Sequence, residues 1–263
     1  MVALGSSFAA GPGIEPMADR RAARSARNYA HLVAEALGAN LVDATVSGAT
    51  TKTILDAPQR LGVRKFAPQI ESLHPDADLV TVTAGGNDLG YIGGMLGRGI
   101  LNGLSQRRLI GPIARRSRSA HPLGEPPAER AEEATAGLVR IVEAVRRTAP
   151  AARCILVDYL PVFTEFTVPG DGVPFDTDEI AHFRRVADVL SGVYREAGDR
   201  SGAEVLHSSE YGGGHGAGSN DPWVFGLRPI RRLGSSFHPT PAGMRAVADL
   251  LLGRLSAPPA AGD

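Results

Sequence analysis

Short, uninterrupted apolar runs recur along this chain, separated by longer stretches whose apolar residues fall at three- and four-residue spacing. The runs are Val2–Leu4, Leu41–Val42, Leu79–Val82, Ile155–Val157 and Val205–Leu206. A strand with one wet face alternates apolar and polar residues, whereas an unbroken run needs apolar cover on both faces. The intervening stretches supply that cover as helices. Asn28–Leu37 carries Leu32, Val33, Ala36 and Leu37 and stops at Gly38, as a C-terminal cap should. Ala128–Arg147 has Leu138, Ile141, Val142 and Val145 on one stripe, and Glu179–Ala197 has Ile180, Phe183, Val186, Val189, Leu190 and Val193. Pro241–Leu255 closes the series with Met244, Val247, Leu250 and Leu251, and Pro241 suits a first turn. This alternation predicts one α/β domain over residues 1–256, a three-layer α/β/α arrangement around a five-stranded parallel sheet. The Pro/Ala-rich tail, 257–263, is expected to fray.

Two regions break the rhythm. Gly90–Pro127 is rich in Gly, Arg and Pro and reads as a lid, a binding loop or an insertion with short helices of its own. Its basic concentration, Arg107-Arg108 through Arg115-Arg116-Ser117-Arg118, reads as a solvated loop face in preference to a patch for a negatively charged portion of a substrate, such as a phosphate or carboxylate. The second region, Ser208–Ser236, contains Gly212-Gly213-Gly214-His215-Gly216 and Asp221-Pro222-Trp223. Both would lie toward the carboxyl ends of their strands, where open α/β sheets place ligands.

Composition excludes several function classes. The 263 residues include 28 basic and 28 acidic side chains, so net charge gives no footprint for nucleic acid or an anionic membrane. The single cysteine, Cys154, rules out an intramolecular disulfide and sits in an apolar strand, away from any nucleophilic setting. No run approaches the roughly 18 apolar residues of a membrane span. The first strand begins directly after Met1, which gives the expectation of a cytoplasmic protein without a secretion leader. His207, Glu210 and His215 match no standard ligand spacing, so no metal is expected. Gly11-Pro12-Gly13 lacks the third glycine of a dinucleotide fingerprint, and no cofactor is expected.

Four fragments in the order of the chain carry chemistry: Gly5-Ser6-Ser7-Phe8, Ser47-Gly48-Ala49-Thr50, Gly85-Gly86-Asn87-Asp88 and His238-Pro239. Taken singly, each has a plain structural reading: a turn serine, turn glycines, a helix cap and a loop histidine. Taken together, at successive strand ends, they supply what attack on an ester carbonyl requires: a hydroxyl, hydrogen-bond donors and an imidazole. The glycine spacing around Ser7 does not fit the Gly-x-Ser-x-Gly elbow. The set resembles the SGNH, or GDSL, hydrolase family, whose first-block Gly-Asp-Ser-Leu stands here as Gly5-Ser6-Ser7-Phe8. The resemblance covers nearly the whole chain, from residue 5 to residue 243, and implies a flavodoxin-like SGNH fold.

That resemblance implies roles. Ser7 would be the nucleophile and His238 the base; the N–H groups of Ser7 and Gly48 and the side-chain amide of Asn87 would hold the oxyanion. The Asp that the family commonly places three residues before the histidine is Ser235 here. A subgroup resembling actinobacterial lipases and esterases works as a Ser–His dyad, with a main-chain carbonyl at that position. The reading is therefore a dyad steered by the Ser235 carbonyl, with Asp88 and Asp221 as lesser substitutes and residues from Gly90–Pro127, together with Trp223 and Phe225, as walls of an acyl pocket. The expected activity is serine-dependent hydrolysis of small carboxylic esters or thioesters. Two alternatives stay open: an acyltransferase moving a medium-chain group such as octanoyl to a sugar or glucosylglycerate hydroxyl, and a silent carbohydrate- or lipid-binding module.

Overall fold

The computed structural model describes residues 1–105, 111–120 and 122–256, apart from the side chain of Arg115. Strands β1 (Val2–Gly5), β2 (Met17–Asp19), β3 (Arg24–Ser25), β4 (Val42–Asp43), β5 (Gln59–Leu61), β6 (Arg64–Phe66), β7 (Leu79–Thr83), β8 (Arg153–Val157) and β9 (Glu204–Leu206) fall into three sheets. The main one is five-stranded and wholly parallel, in the order β4-β1-β7-β8-β9. Counting only its own strands, that is the 2-1-3-4-5 order of the flavodoxin-like fold. Every residue of β1 and β7 is buried, as the unbroken apolar runs require. The two smaller sheets are antiparallel hairpins, β2 with β3 and β5 with β6, each in a connection that leaves the main sheet.

Helices α1 (Ser7–Ala10), α2 (Tyr29–Leu37), α3 (Thr51–Leu55), α4 (Tyr91–Ser105), α5 (Gly111–Ala120), α6 (Ala128–Thr148), α7 (Thr177–Ser201) and α8 (Pro241–Ser256) complete the chain. Local sequence sets their ends. The Asn28 side chain accepts from the His31 N–H to start α2, and Gly38 ends it in the left-handed conformation. Asp176 and Glu179 form a capping box at the start of α7. The α2–α8 pair and the α6–α7 pair each pack together, and Leu138, Ile141, Val142 and Val145 of α6 are fully enclosed. No described helix is long and apolar enough to cross a membrane.

Within the insertion region, residues 91–105 and 111–120 are helical. Glycine-rich α4 can approach closely: a Cβ on Gly99 would stand 3.1 Å from Phe175 and 3.5 Å from Phe237. Those rings join Phe163 and Phe183 in a cluster with centroids 5.2 to 6.3 Å apart. Asn102 Nδ2 donates to Glu179 Oε2 at 2.6 Å and Arg98 pairs with the other oxygen, so α4 is fastened to the start of α7. Arg118 faces Asp176 and Glu179, so this part of the basic run is an ion-paired helix face. Arg107, Arg108, the Arg115 side chain and the tail 257–263 lie outside the described residues.

At the carboxyl edge of the sheet, strands diverge and the ladder no longer satisfies the backbone. Side chains take over. The buried Gln69 amide reads both groups of Gly5, accepting from its N–H at 2.7 Å and donating to its carbonyl at 3.0 Å. The Tyr194 hydroxyl does the same for Ala84, at 2.9 and 2.7 Å. Replacing Gln69 by Leu keeps bulk but leaves the Gly5 N–H without a partner in the core. A buried unmet donor costs on the order of 2 kcal/mol, so urea unfolding of Gln69→Leu should show a loss of about that size.

Candidate active site

Ser7 opens α1 immediately after β1. The Ser6 N–H donates to Thr83 O at 2.8 Å, locking the exit of β1 onto β7. The Ser6 carbonyl accepts from the Ala9 and Ala10 N–H groups, so the first turn closes around it. At the first helical position, the Ser7 N–H has no intrahelical acceptor. Ser7 is largely buried, yet its Oγ has no hydrogen-bond partner among the described residues. Ser6 stands where an Asp was looked for, and its Oγ shares a 2.9 Å hydrogen bond with the Tyr159 hydroxyl. That hydroxyl also accepts from the Gly86 N–H at 3.3 Å. A Cβ at Gly86 would meet the Tyr159 ring at 2.8 Å, so glycine is needed there for close approach.

The second and third fragments are tied together. Asn87 Nδ2 donates to the Ala49 carbonyl at 2.8 Å, which uses one amide hydrogen and leaves the other without a protein partner among the described residues. Asp88 accepts from the Thr51 N–H at 3.1 Å and the Thr51 hydroxyl at 2.7 Å, anchoring the start of α3. Burial pushes the Asp88 carboxyl up, against those hydrogen bonds. Gly48 is solvent-exposed, with φ 83°, and its N–H makes no protein hydrogen bond among the described residues.

His238 reaches the same neighbourhood on the segment before α8. Its ring lies 5.7 Å, centroid to centroid, from Phe8, the residue after Ser7. Gly13 packs so tightly on Ser235 that a Cβ would come within 2.7 Å. No hydrogen bond joins Ser7 Oγ to the imidazole, a separation common in ligand-free sites that tighten on binding. His238 Nδ1 lies 2.8 Å from the Ser236 carbonyl, which fixes the ring and leaves Nε2 as the free nitrogen. The expectation for Ser235 is corrected here: its carbonyl accepts the His238 backbone N–H at 3.3 Å, and its hydroxyl donates to Arg232 O. The reason is the turn at Phe237, where φ of 60° folds the Ser236 carbonyl back under the ring.

The remaining named residues have other partners. The Asp221 carboxylate is exposed and 3.4 Å from His215 Nδ1, while its carbonyl accepts from the same nitrogen at 2.8 Å. Trp223 stacks on His215 with centroids 4.1 Å apart. Phe225 carries the Arg228 guanidinium over its ring at 4.3 Å, and its N–H donates to the His238 carbonyl. Trp223 and Phe225 thus hold the strap that presents the histidine. Among the described residues, a cavity of about 1290 Å³ is bounded by Asn102 and Arg118 of the insertion region together with residues such as Phe175, Asp176 and Leu227. His207 faces Asp158, and no group of metal-binding side chains occurs among the described residues. Sequence reading missed Tyr159, Gln69 and Tyr194. None sits in a recognisable motif, and a tyrosine just past an apolar run (Tyr159) was the only hint available.

A 2-1-3-4-5 parallel sheet with serine, glycine, asparagine and histidine gathered at its carboxyl edge defines a serine-dependent acyl hydrolase. The chain belongs to the GDSL-like Lipase/Acylhydrolase family, whose model matches residues 3–246. It is similar to Lipase 2 of Streptomyces coelicolor, with 31% identity over 262 residues covering 94% of this chain and 83% of that protein. Its fold is similar to the extracellular lipase of Streptomyces rimosus (TM-score 0.70, 22% identity, 96% of this chain and 97% of that chain). It is likewise similar to phospholipase A1 of Streptomyces albidoflavus NA297 (TM-score 0.72, 22% identity, the same coverage).

Burial holds the His238 imidazole down at about 4, with the Ser236 carbonyl opposing the shift only in part. The ring is therefore neutral across the ordinary pH range. In the unfolded chain a histidine titrates near ~6.5. Between those two values the unfolded state binds the extra proton, so stability is complete above pH ~6.5 and declines as pH falls toward 4. An NMR titration of the His238 ring should show a midpoint far below that of an exposed histidine, with the unfolding midpoint dropping over the same range.

Proposed function

We propose that the protein hydrolyses carboxylic esters with Ser7 as nucleophile and His238 as general base. The supporting observation is a set of polar groups at one sheet edge without protein partners among the described residues: Ser7 Oγ, the Ser7 and Gly48 N–H groups and one Asn87 amide hydrogen. Ser7 Oγ attacks the carbonyl carbon while its proton passes to His238 Nε2. The carbonyl electrons move onto oxygen, where the three donors stabilise the charge. The tetrahedral intermediate collapses, the ester C–O bond breaks, and the alcohol leaves with the proton from His238. Water then repeats the sequence on the acyl-serine, returning the acid and the free hydroxyl. The Ser236 carbonyl holds the ring in one tautomer, so that Nε2 is the nitrogen facing the substrate.

The acyl donor is read as an aliphatic ester, in keeping with the similarity to a lipase. Incubation with acyl-CoA and sugar acceptors tests transfer directly: free acid under every condition excludes it, and an acylated sugar establishes it.

Three outcomes check this reading. A fluorophosphonate should label wild type and not Ser7→Ala, whereas a well-folded wild type that stays unlabelled overturns it. Asn87→Ala should lower kcat on a p-nitrophenyl ester by about a hundredfold, the cost of one oxyanion donor. The acid limb of kcat/KM should follow the buried imidazole, with activity kept at pH 6 and lost toward pH 4. A limb near pH 6.5 would assign the base to a more exposed group.

A further inference from the structure

The Gly48 N–H belongs to the same peptide unit as the Ser47 carbonyl, so whatever fixes one fixes the other. Val46 to Ala49 form a β-turn, closed by the Ala49 N–H donating to Val46 O at 3.1 Å. Gly48 occupies its third position with φ 83°, while Ser47 has no positive φ; these values define a type II turn. A type I turn keeps the same ends and flips the central peptide, exchanging its N–H for its carbonyl. With glycine at the third position both forms are sterically open. In the flipped form the Ser47 oxygen would face the position of the developing negative charge.

One side chain opposes that flip. Gln59 Nε2 donates to the Ser47 carbonyl at 2.8 Å. Gln59 is 6% exposed, and a Cβ on Gly48 would stand 3.4 Å from its Nε2, so the amide lies against this turn. The opposite amide orientation would set two carbonyl oxygens against each other, which fixes Nε2 as the atom facing Ser47. Oε1 is buried and has no hydrogen-bond partner among the described residues. The core therefore retains an amide at the cost of an unmet acceptor, at a place where an apolar side chain would fill the space. Gln59 is carried by the β5–β6 hairpin, whose register pairs it with Phe66 and whose turn residue Gly62 has φ 60°. No other described residue donates to the Ser47 carbonyl.

We infer that Gln59 is a positioning residue for catalysis, one that holds the Ser47–Gly48 peptide in its type II setting and keeps the Gly48 N–H aimed at the oxyanion. The inference rests on the reading of Gly48 as an oxyanion donor. Donation to Ser47 O also polarises the shared peptide and strengthens its N–H as a donor. The side chain touches no reacting atom and acts only through the turn.

The test uses Gln59→Met, which keeps length and bulk without a donor, and Gln59→Glu, whose carboxylate repels the Ser47 oxygen. Both are compared with wild type on a p-nitrophenyl ester, with circular dichroism confirming the fold. The expected result for Gln59→Met is a fall in kcat of about tenfold to a hundredfold, within the range for loss of an oxyanion donor, with KM changed less than about twofold. Gln59→Glu should fall at least as far. A third variant carries glycolic acid at position 48, an amide-to-ester change that deletes the N–H and weakens the Ser47 carbonyl as an acceptor while leaving every side chain in place. Adding Gln59→Met to it should cause little further loss, because both act on one donor. Loss in the ester variant with wild-type kcat in Gln59→Met overturns the inference and leaves the Gly48 reading standing. An ester variant with full kcat removes that reading and the inference with it. Additive losses, or a folded Gln59→Met whose KM rises while kcat holds, assign Gln59 to substrate binding or packing and overturn it too.

Discussion

Parallel strands that end together leave a row of backbone groups facing outward with no ladder to join, and in this protein that row is the ground on which the site is built. The exits of β1 and β7 are settled by particular side chains: Gln69 at Gly5, Tyr194 at Ala84, and Tyr159 between Ser6 and Gly86. These contacts are buried and join residues distant in sequence, so they fix where the loops begin to within a hydrogen-bond length. What remains unsatisfied after that settlement is small and localised, and the proposed chemistry uses it. The same competition for hydrogen bonds that stabilises the edge of the sheet thus decides which donors stay available to a substrate.

The histidine shows how far a local turn can substitute for a charged partner. Burial depresses its basicity and the Ser236 carbonyl only partly restores it. A carboxylate in that position would favour the imidazolium more strongly. The protein instead holds a weakly basic imidazole that stays neutral across the ordinary pH range. Phe237, strained into the left-handed region and packed into the phenylalanine cluster, is what keeps the carbonyl and the ring in register.

Much of this is legible in the amino-acid sequence. Unbroken apolar runs at β1 and β7 can exist only between two covered faces, so the layered parallel sheet followed from them. The order of the serine, glycine, asparagine and histidine fragments pointed to their gathering at one edge. Other features were not legible, for physical reasons. A carbonyl acceptor leaves no trace in residue type, so the choice between Ser235 and Ser236 depended on one dihedral angle. The helices at 91–105 and 111–120 were obscured because Gly and Arg lower the apolar signal, while the close approach that glycine permits is a tertiary effect. Gln69 and Gln59 are polar residues outside any motif, and only long-range contact reveals what they hold.

The orienting group for His238 is part of the main chain. A codon change can exchange any side chain around the imidazole, but none can delete the oxygen at Ser236. Variation in this steering must therefore come through the bend at Phe237 and the aromatic packing beneath it, so that control over the base is delegated to the hydrophobic interior.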